Sequence, residues 1–122
     1  ELDFAAAGMK ALVIRPSDSG IETIRLKGNT TPIGYYSVGS DYRIERMILK
    51  PSDRFYMFSD GYADQFGDAD GRRLLHKGFV KIVSESSTLP LEKQLEVIEN
   101  HFYRWKGDRE QIDDVMVFGL MV

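Results

Sequence analysis

Residues 55–58 and 115–122 are apolar or aromatic on both faces of any strand they form. In the first run Phe55 and Met57 fall on one face, Tyr56 and Phe58 on the other. Strands of this kind belong in the middle of a layered fold, because a solvated face selects for alternation of apolar and polar residues. Each run carries aspartate at one end: Ser59-Asp60-Gly61 closes the first, and Asp113-Asp114 opens the second. A carboxylate beside a buried strand is costly to desolvate unless a cation or hydrogen-bond donors compensate it. If the two strands lie side by side, the carboxylates meet at one rim of a sheet, where oxygen ligands suit a divalent cation.

Length and charge narrow the remaining choices. A chain of 122 residues can enclose one core, and its 43% hydrophobic and 29% charged content is that of an ordinary globular domain. A net charge of −3 and scattered basic residues (Arg43, Arg46, Lys50 and Arg54 alternate with other positions) argue against nucleic acid, which rewards clustered cations. No apolar run approaches the ~20 residues of a membrane span, so no membrane contact is expected. The absence of cysteine excludes disulfides and thiolate metal sites and suits a reducing cytoplasm, the expected location. The first residue is Glu1, which suggests a piece of a longer protein.

The first half of the chain reads as strands. Residues 2–6, 11–15 and 21–26 are short β-type runs, and Pro16-Ser17-Asp18-Ser19-Gly20 between the last two is dense in turn formers. A loop from Lys27 to Gly34 precedes a longer strand over 42–49, and Lys50-Pro51-Ser52-Asp53 turns the chain into the strand ending at Ser59. Helical spacing follows. Leu74, Leu75, Phe79, Ile82 and Val83 share a face over residues 72–84, and Leu91, Leu95, Ile98, Phe102 and Trp105 make a second stripe from Pro90 to Gly107. Strands, two helices and a final strand predict an α+β domain with antiparallel sheets flanked by helices.

Several chemical readings are open to test. Glycine after Asp60 permits a sharp turn that exposes the carboxylate and the Gly61 carbonyl to a cation. Ser-Asp-Gly is equally common turn chemistry, and Asp113-Asp114 equally reads as an acidic turn before a strand. An EF-hand over Asp64–Gly71 fails, since Gly71 at the sixth position puts Phe66 and Lys77 where oxygen ligands belong; a solvated acidic loop is the better account. His76 and His101 lack a helical H-x-x-x-H partner and read as surface or helix-end histidines, while Tyr103 and Trp105 read as core. Ser59 has no G-x-S-x-G elbow, and Lys27-Gly28-Asn29 is not a phosphate loop.

Taken in order, Phe55-Tyr56-Met57-Phe58-Ser59-Asp60-Gly61, two helices, and Gln111-Ile112-Asp113-Asp114-Val115-Met116-Val117 resemble the SpoIIE-like branch of the metal-dependent (type 2C) serine/threonine protein phosphatases. Leu2-Asp3-Phe4-Ala5-Ala6-Ala7-Gly8 and Pro32-Ile33-Gly34-Tyr35 resemble further signatures of that family at the expected places. The resemblance implies that residues 1–122 are the C-terminal portion of such a domain, part of an αββα sandwich. It also implies a binuclear Mn²⁺ or Mg²⁺ centre, with Asp60 and Asp113 as ligands, Asp114 adjacent, and the Gly61 carbonyl as a further donor. The family's upstream Asp-x-x-Gly-His-Gly-like segment has no counterpart in this sequence, so the resemblance implies an incomplete metal site and a chain that is inactive or weakly active alone. The implied substrate is phosphoserine or phosphothreonine in a regulatory protein such as an anti-sigma-factor antagonist. Two other readings remain: a non-catalytic interaction domain of a degenerate phosphatase, and an aspartyl-phosphate phosphatase, which would want Asp-x-Asp where this chain has Asp60-Gly61-Tyr62. A missing half would leave sheet edges bare, so a homodimer is also expected.

Overall fold

The computed structural model describes residues 1–34, 41–67 and 71–122. Tyr35 and the Asp68-Ala69-Asp70 part of the acidic loop therefore lie outside the described residues. The elements run β1 (Leu2–Phe4), β2 (Lys10–Ser17), β3 (Gly20–Lys27), β4 (Glu45–Met47), β5 (Arg54–Phe58), α1 (Gly61–Asp64), α2 (Leu75–Glu85), α3 (Leu91–Lys106) and β6 (Val117–Met121). The fold is α+β, as the patterning predicted. Among the described residues two sheets form, one ordered β3-β2-β5-β6 and the other a β1-β4 ribbon. The chain divides into two compact units, residues 1–57 with 118–122, and residues 58–117.

In the first unit, β2 and β3 form an antiparallel hairpin registered from Lys10 opposite Lys27 to Ser17 opposite Gly20. The turn is tighter than the sequence suggested, because Gly20 takes a positive φ of 124° and lets the strands run up to Asp18-Ser19. One face of this unit forms its core: Ala11 and Val13 from β2, Leu26 from β3 and Phe55 from β5 pack with Phe4. The Phe4 and Phe55 rings meet edge to face at 6.4 Å. The strand expected over 42–49 shrinks to Glu45–Met47, paired antiparallel with β1. β5 is buried on both faces as expected, but residues 115–122 are not. Phe118 is 50% exposed and Met121 54%, and among the described residues β6 lies at the end of its sheet, beside β5.

A buried ion pair ties this unit together. Arg15 on β2 grips Asp53 with both arms, Nε to Oδ1 at 2.9 Å and Nη2 to Oδ2 at 2.7 Å. Nη2 also donates to the Ile48 carbonyl, and the Lys50 backbone N–H donates to Asp53 Oδ2. Asp53 is 0% exposed, so its charge depends on these donors in place of water. The bond from Arg15 outweighs the opposing effect of burial and holds the Asp53 carboxyl below its ordinary value of 3.8.

The second unit is helical. Phe79 and Val83 of α2 and Ile98 and Phe102 of α3 are buried, as their spacing predicted. Three details differ. Residue 73 forms a β-bridge with Phe66, so α2 begins at Leu75, which is exposed. On α3, Leu95 is 58% exposed while Gln94 is 1% exposed. The burial of Gln94 is offset by its Nε2, which donates to the Val83 carbonyl at 2.9 Å and to Ser86 Oγ at 3.2 Å. Tyr103, expected in the core, is also exposed. Gly107 ends α3 with a φ of 55°, a backbone state that favours glycine.

The Asp53 pair makes stability fall in acid. Its contribution is complete above the ordinary value of 3.8 and is lost as the pH drops below that value and through the lower folded-state one. Denaturant melts at about pH 7 and about pH 3 check this: Asp53→Asn should start less stable and lose less on acidification than wild type. Parallel losses in the two proteins would contradict the assignment.

Candidate metal centre

β5 ends at Phe58, and the next residues turn directly into the four-residue helix α1. Asp60 sits at its N-cap position with an exposed carboxylate, and its carbonyl accepts the Asp64 N–H at 2.9 Å. Gly61 is buried, and its carbonyl accepts the Gln65 N–H at 3.2 Å. This helix was not foreseen in the sequence, where Gly61 reads as a turn residue.

The second acidic segment lies against the first. A Cβ at Gly61 would collide with the Asp114 carbonyl oxygen and come within 3.3 Å of Val115 Cγ2. Glycine is thus required here by the close approach of two backbones rather than by its φ. Ser59 N–H donates to the Met116 carbonyl at 3.0 Å. The Ser59 hydroxyl donates to the Asp114 carbonyl at 2.8 Å and accepts the Met116 N–H at 2.9 Å. Asp113 Oδ1 accepts the Asp114 N–H at 2.7 Å, and the Asp113 carbonyl accepts Gln111 Nε2 at 2.9 Å. The structure therefore brings Ser59-Asp60-Gly61 and Asp113-Asp114 together across more than fifty residues of chain.

Asp60, Asp113 and Asp114 are all exposed. Water carries their charge, and the desolvation cost inferred from the apolar runs does not arise. Among the described residues no group of three or more His, Cys, Asp or Glu side chains is placed to hold a metal ion. The two adjoining segments carry hard carboxylate oxygens, a ligand type that suits Mn²⁺ or Mg²⁺. Magnesium commonly binds one or two carboxylates and keeps several waters, so the residues present fit such a cation as part of its shell.

Below these segments α1 rests on a column of rings. Tyr62 is buried against Phe79 and Phe102, with centroids at 4.9 and 5.1 Å, and its hydroxyl donates to the Ile98 carbonyl at 2.7 Å. Burial pushes that hydroxyl far above its ordinary pKa. His101 lies between Tyr62 and Trp105, nearly parallel to both, and its Nδ1 is 3.2 Å from the Tyr62 hydroxyl. It is half-buried rather than a surface residue. Burial, and to a lesser extent the Arg104 charge, lower its pKa. Trp105 Nε1 donates to the Gln65 carbonyl at 2.9 Å, and Gln65 Nε2 donates to the Glu110 carbonyl at 3.1 Å. Sequence reading missed Gln65 altogether: a lone glutamine after a short acidic turn carries no periodic signal, and only its complete burial reveals its role.

The model of the family described as Stage II sporulation protein E (SpoIIE) matches residues 1–122, the whole chain. The chain belongs to the SpoIIE family. Among solved structures, this SpoIIE-family chain is similar to the SiaA-PP2C domain of Pseudomonas aeruginosa, with 27% identity and a TM-score of 0.82. The match covers 98% of this chain and 45% of that one, so the residues span less than half of the PP2C domain they resemble. No protein with a curated description matches the chain. Together the family and the PP2C neighbour make these residues part of a SpoIIE-like PP2C phosphatase region.

Gly61→Ala tests the contact between the two acidic segments of this SpoIIE-family chain. Relieving the clash requires backbone to move, so a loss of about 1–3 kcal/mol in stability is expected, the usual cost of overpacking. Amide resonances of residues 113–116 should shift more than those of α3. A variant with unchanged stability and an unchanged spectrum would show that the segments are not in contact.

Proposed function

We propose that the chain is the C-terminal portion of a metal-dependent protein serine/threonine phosphatase domain. The observation that supports this most is the contact between the Gly61 and Asp114 backbones, which sets two aspartate-bearing segments of the family motifs side by side. In this reading Asp60 and Asp113 hold Mn²⁺ or Mg²⁺, two ions in the complete domain, with the Gly61 carbonyl and Asp114 as nearby oxygen donors. Bound cations of this type acidify water and offset charge on a phosphoryl group.

The chain's own residues supply the placement. Ring packing around Tyr62 fixes α1 and with it the end of the Ser59-Asp60-Gly61 turn. Exposure of the three carboxylates leaves room for a phosphorylated side chain of a protein substrate. The substrate class we favour is phosphoserine or phosphothreonine in a bacterial signalling regulator such as an anti-sigma-factor antagonist, acted on in the cytoplasm. Among the described residues no helix is long and apolar enough to cross a membrane.

The 122 residues alone are weakly active or inactive in this reading, because two carboxylate segments do not complete a binuclear site. The lack of a third acidic or histidine ligand among the described residues also favours a second reading, a non-catalytic signalling domain. A phosphoserine-peptide assay with Mn²⁺ separates the two when run on the chain and on a longer protein containing it. The longer protein should hydrolyse the peptide, the chain alone should not, and Asp60→Asn or Asp113→Asn in the longer protein should cut the rate by about 100-fold or more, beyond typical outer-shell effects. Full activity in the chain alone would overturn the incomplete-site reading, and an inactive longer protein would favour the signalling domain.

A further inference from the structure

We infer that Ser59 is a positioning residue whose hydroxyl sets the spacing of the Asp60 and Asp113 carboxylates. The role rests on the metal-site reading above and concerns a residue that reading does not use as a ligand.

The geometry is specific. One oxygen makes two bonds to the facing segment: it donates its proton to the Asp114 carbonyl at 2.8 Å and accepts the Met116 N–H at 2.9 Å. The Ser59 backbone N–H adds a third link, to the Met116 carbonyl at 3.0 Å. Ser59 immediately precedes Asp60, and Asp114 immediately follows Asp113. The hydroxyl therefore joins the residue before one carboxylate to the residue after the other. Its proton is committed to a carbonyl, which also explains why Ser59 is poorly suited to act as a nucleophile.

The bridge does not serve folding in the way a core residue would. Ser59 is only half-buried, and Asp114 and Met116 are exposed, so water can satisfy the Asp114 carbonyl and the Met116 N–H once the hydroxyl is gone. Water cannot hold the two segments at a fixed separation. Loss of the hydroxyl should therefore leave the chain folded and let the carboxylates drift apart. Removal of outer-shell partners that orient metal ligands typically weakens metal binding by about 10–100-fold. The lower end, about tenfold, is expected here because the backbone bond from Ser59 remains.

The experiment uses the longer protein that contains the chain and manganese chloride, with binding followed by calorimetry or by loss of the free-ion Mn²⁺ resonance. Ser59→Ala should weaken binding about tenfold, with the melting temperature close to wild type and the Met116 amide exchanging faster. Ser59→Thr, which keeps the hydroxyl, should restore both binding and amide protection. Asp60→Asn is the reference for the site itself. Binding that Asp60→Asn abolishes and Ser59→Ala leaves unchanged would overturn the role of Ser59 alone. Absent binding, or binding indifferent to Asp60→Asn, would overturn the metal-site reading, and this inference with it. Equal weakening in Ser59→Thr and Ser59→Ala would also count against the hydroxyl.

Discussion

The candidate site depends on one long-range backbone pairing, the one that sets Ser59 against Met116. Closing a loop of more than fifty residues costs conformational entropy that grows only slowly with length, and local contacts must offset it. Those contacts lie within the loop itself. Phe79 and Val83 of α2 and Ile98 and Phe102 of α3 are buried together with Tyr62 of α1, so the helices that separate the two acidic segments in sequence also stabilise the structure that reunites them. Removing those buried rings would loosen the site without touching either aspartate.

Two kinds of polar burial serve different purposes here. Asp53 is fully buried and paired with Arg15, and its donors come from β2 and from the turn before β5. That pair gives stability that depends on pH. Ser59 sits at a half-exposed rim, where its hydroxyl adds little stability and much geometric definition. The contrast follows from solvent access: a buried charge must be satisfied by protein, whereas at a rim water competes and only spacing is gained. In the proposed metal site, that spacing is what would let Asp60 and Asp113 share a cation.

Much of the fold was legible in sequence. Short apolar or β-branched runs marked β2, β3 and β5, spacings of three and four marked α2 and α3, and Gly107 marked the end of α3. The errors came where side-chain pattern does not carry the deciding information. β6 has the composition of a central strand yet lies at a sheet edge, because strand order is a property of the sheet. Gln94 replaces Leu95 inside α3 because two acceptors, the Val83 carbonyl and Ser86 Oγ, happen to lie opposite it. The half-burial of His101 leaves no mark in its own helix, because the ring stack that covers it joins Tyr62 of α1 to Trp105 of α3.

The sequence by itself determined which residues could carry the chemistry, since Ser59-Asp60-Gly61 and Asp113-Asp114 stand out against apolar neighbours and match a family order. It also determined that glycine follows Asp60. Only the tertiary structure decided why: the Gly61 backbone must pass beside the Asp114 carbonyl, where no Cβ fits. It likewise decided that the carboxylates are exposed, that α1 carries Asp60 at its start, and that a serine hydroxyl bridges the two segments. Hydrogen bonds between residues so distant in the chain leave no periodic trace, because they depend on positions in space that the fold alone supplies.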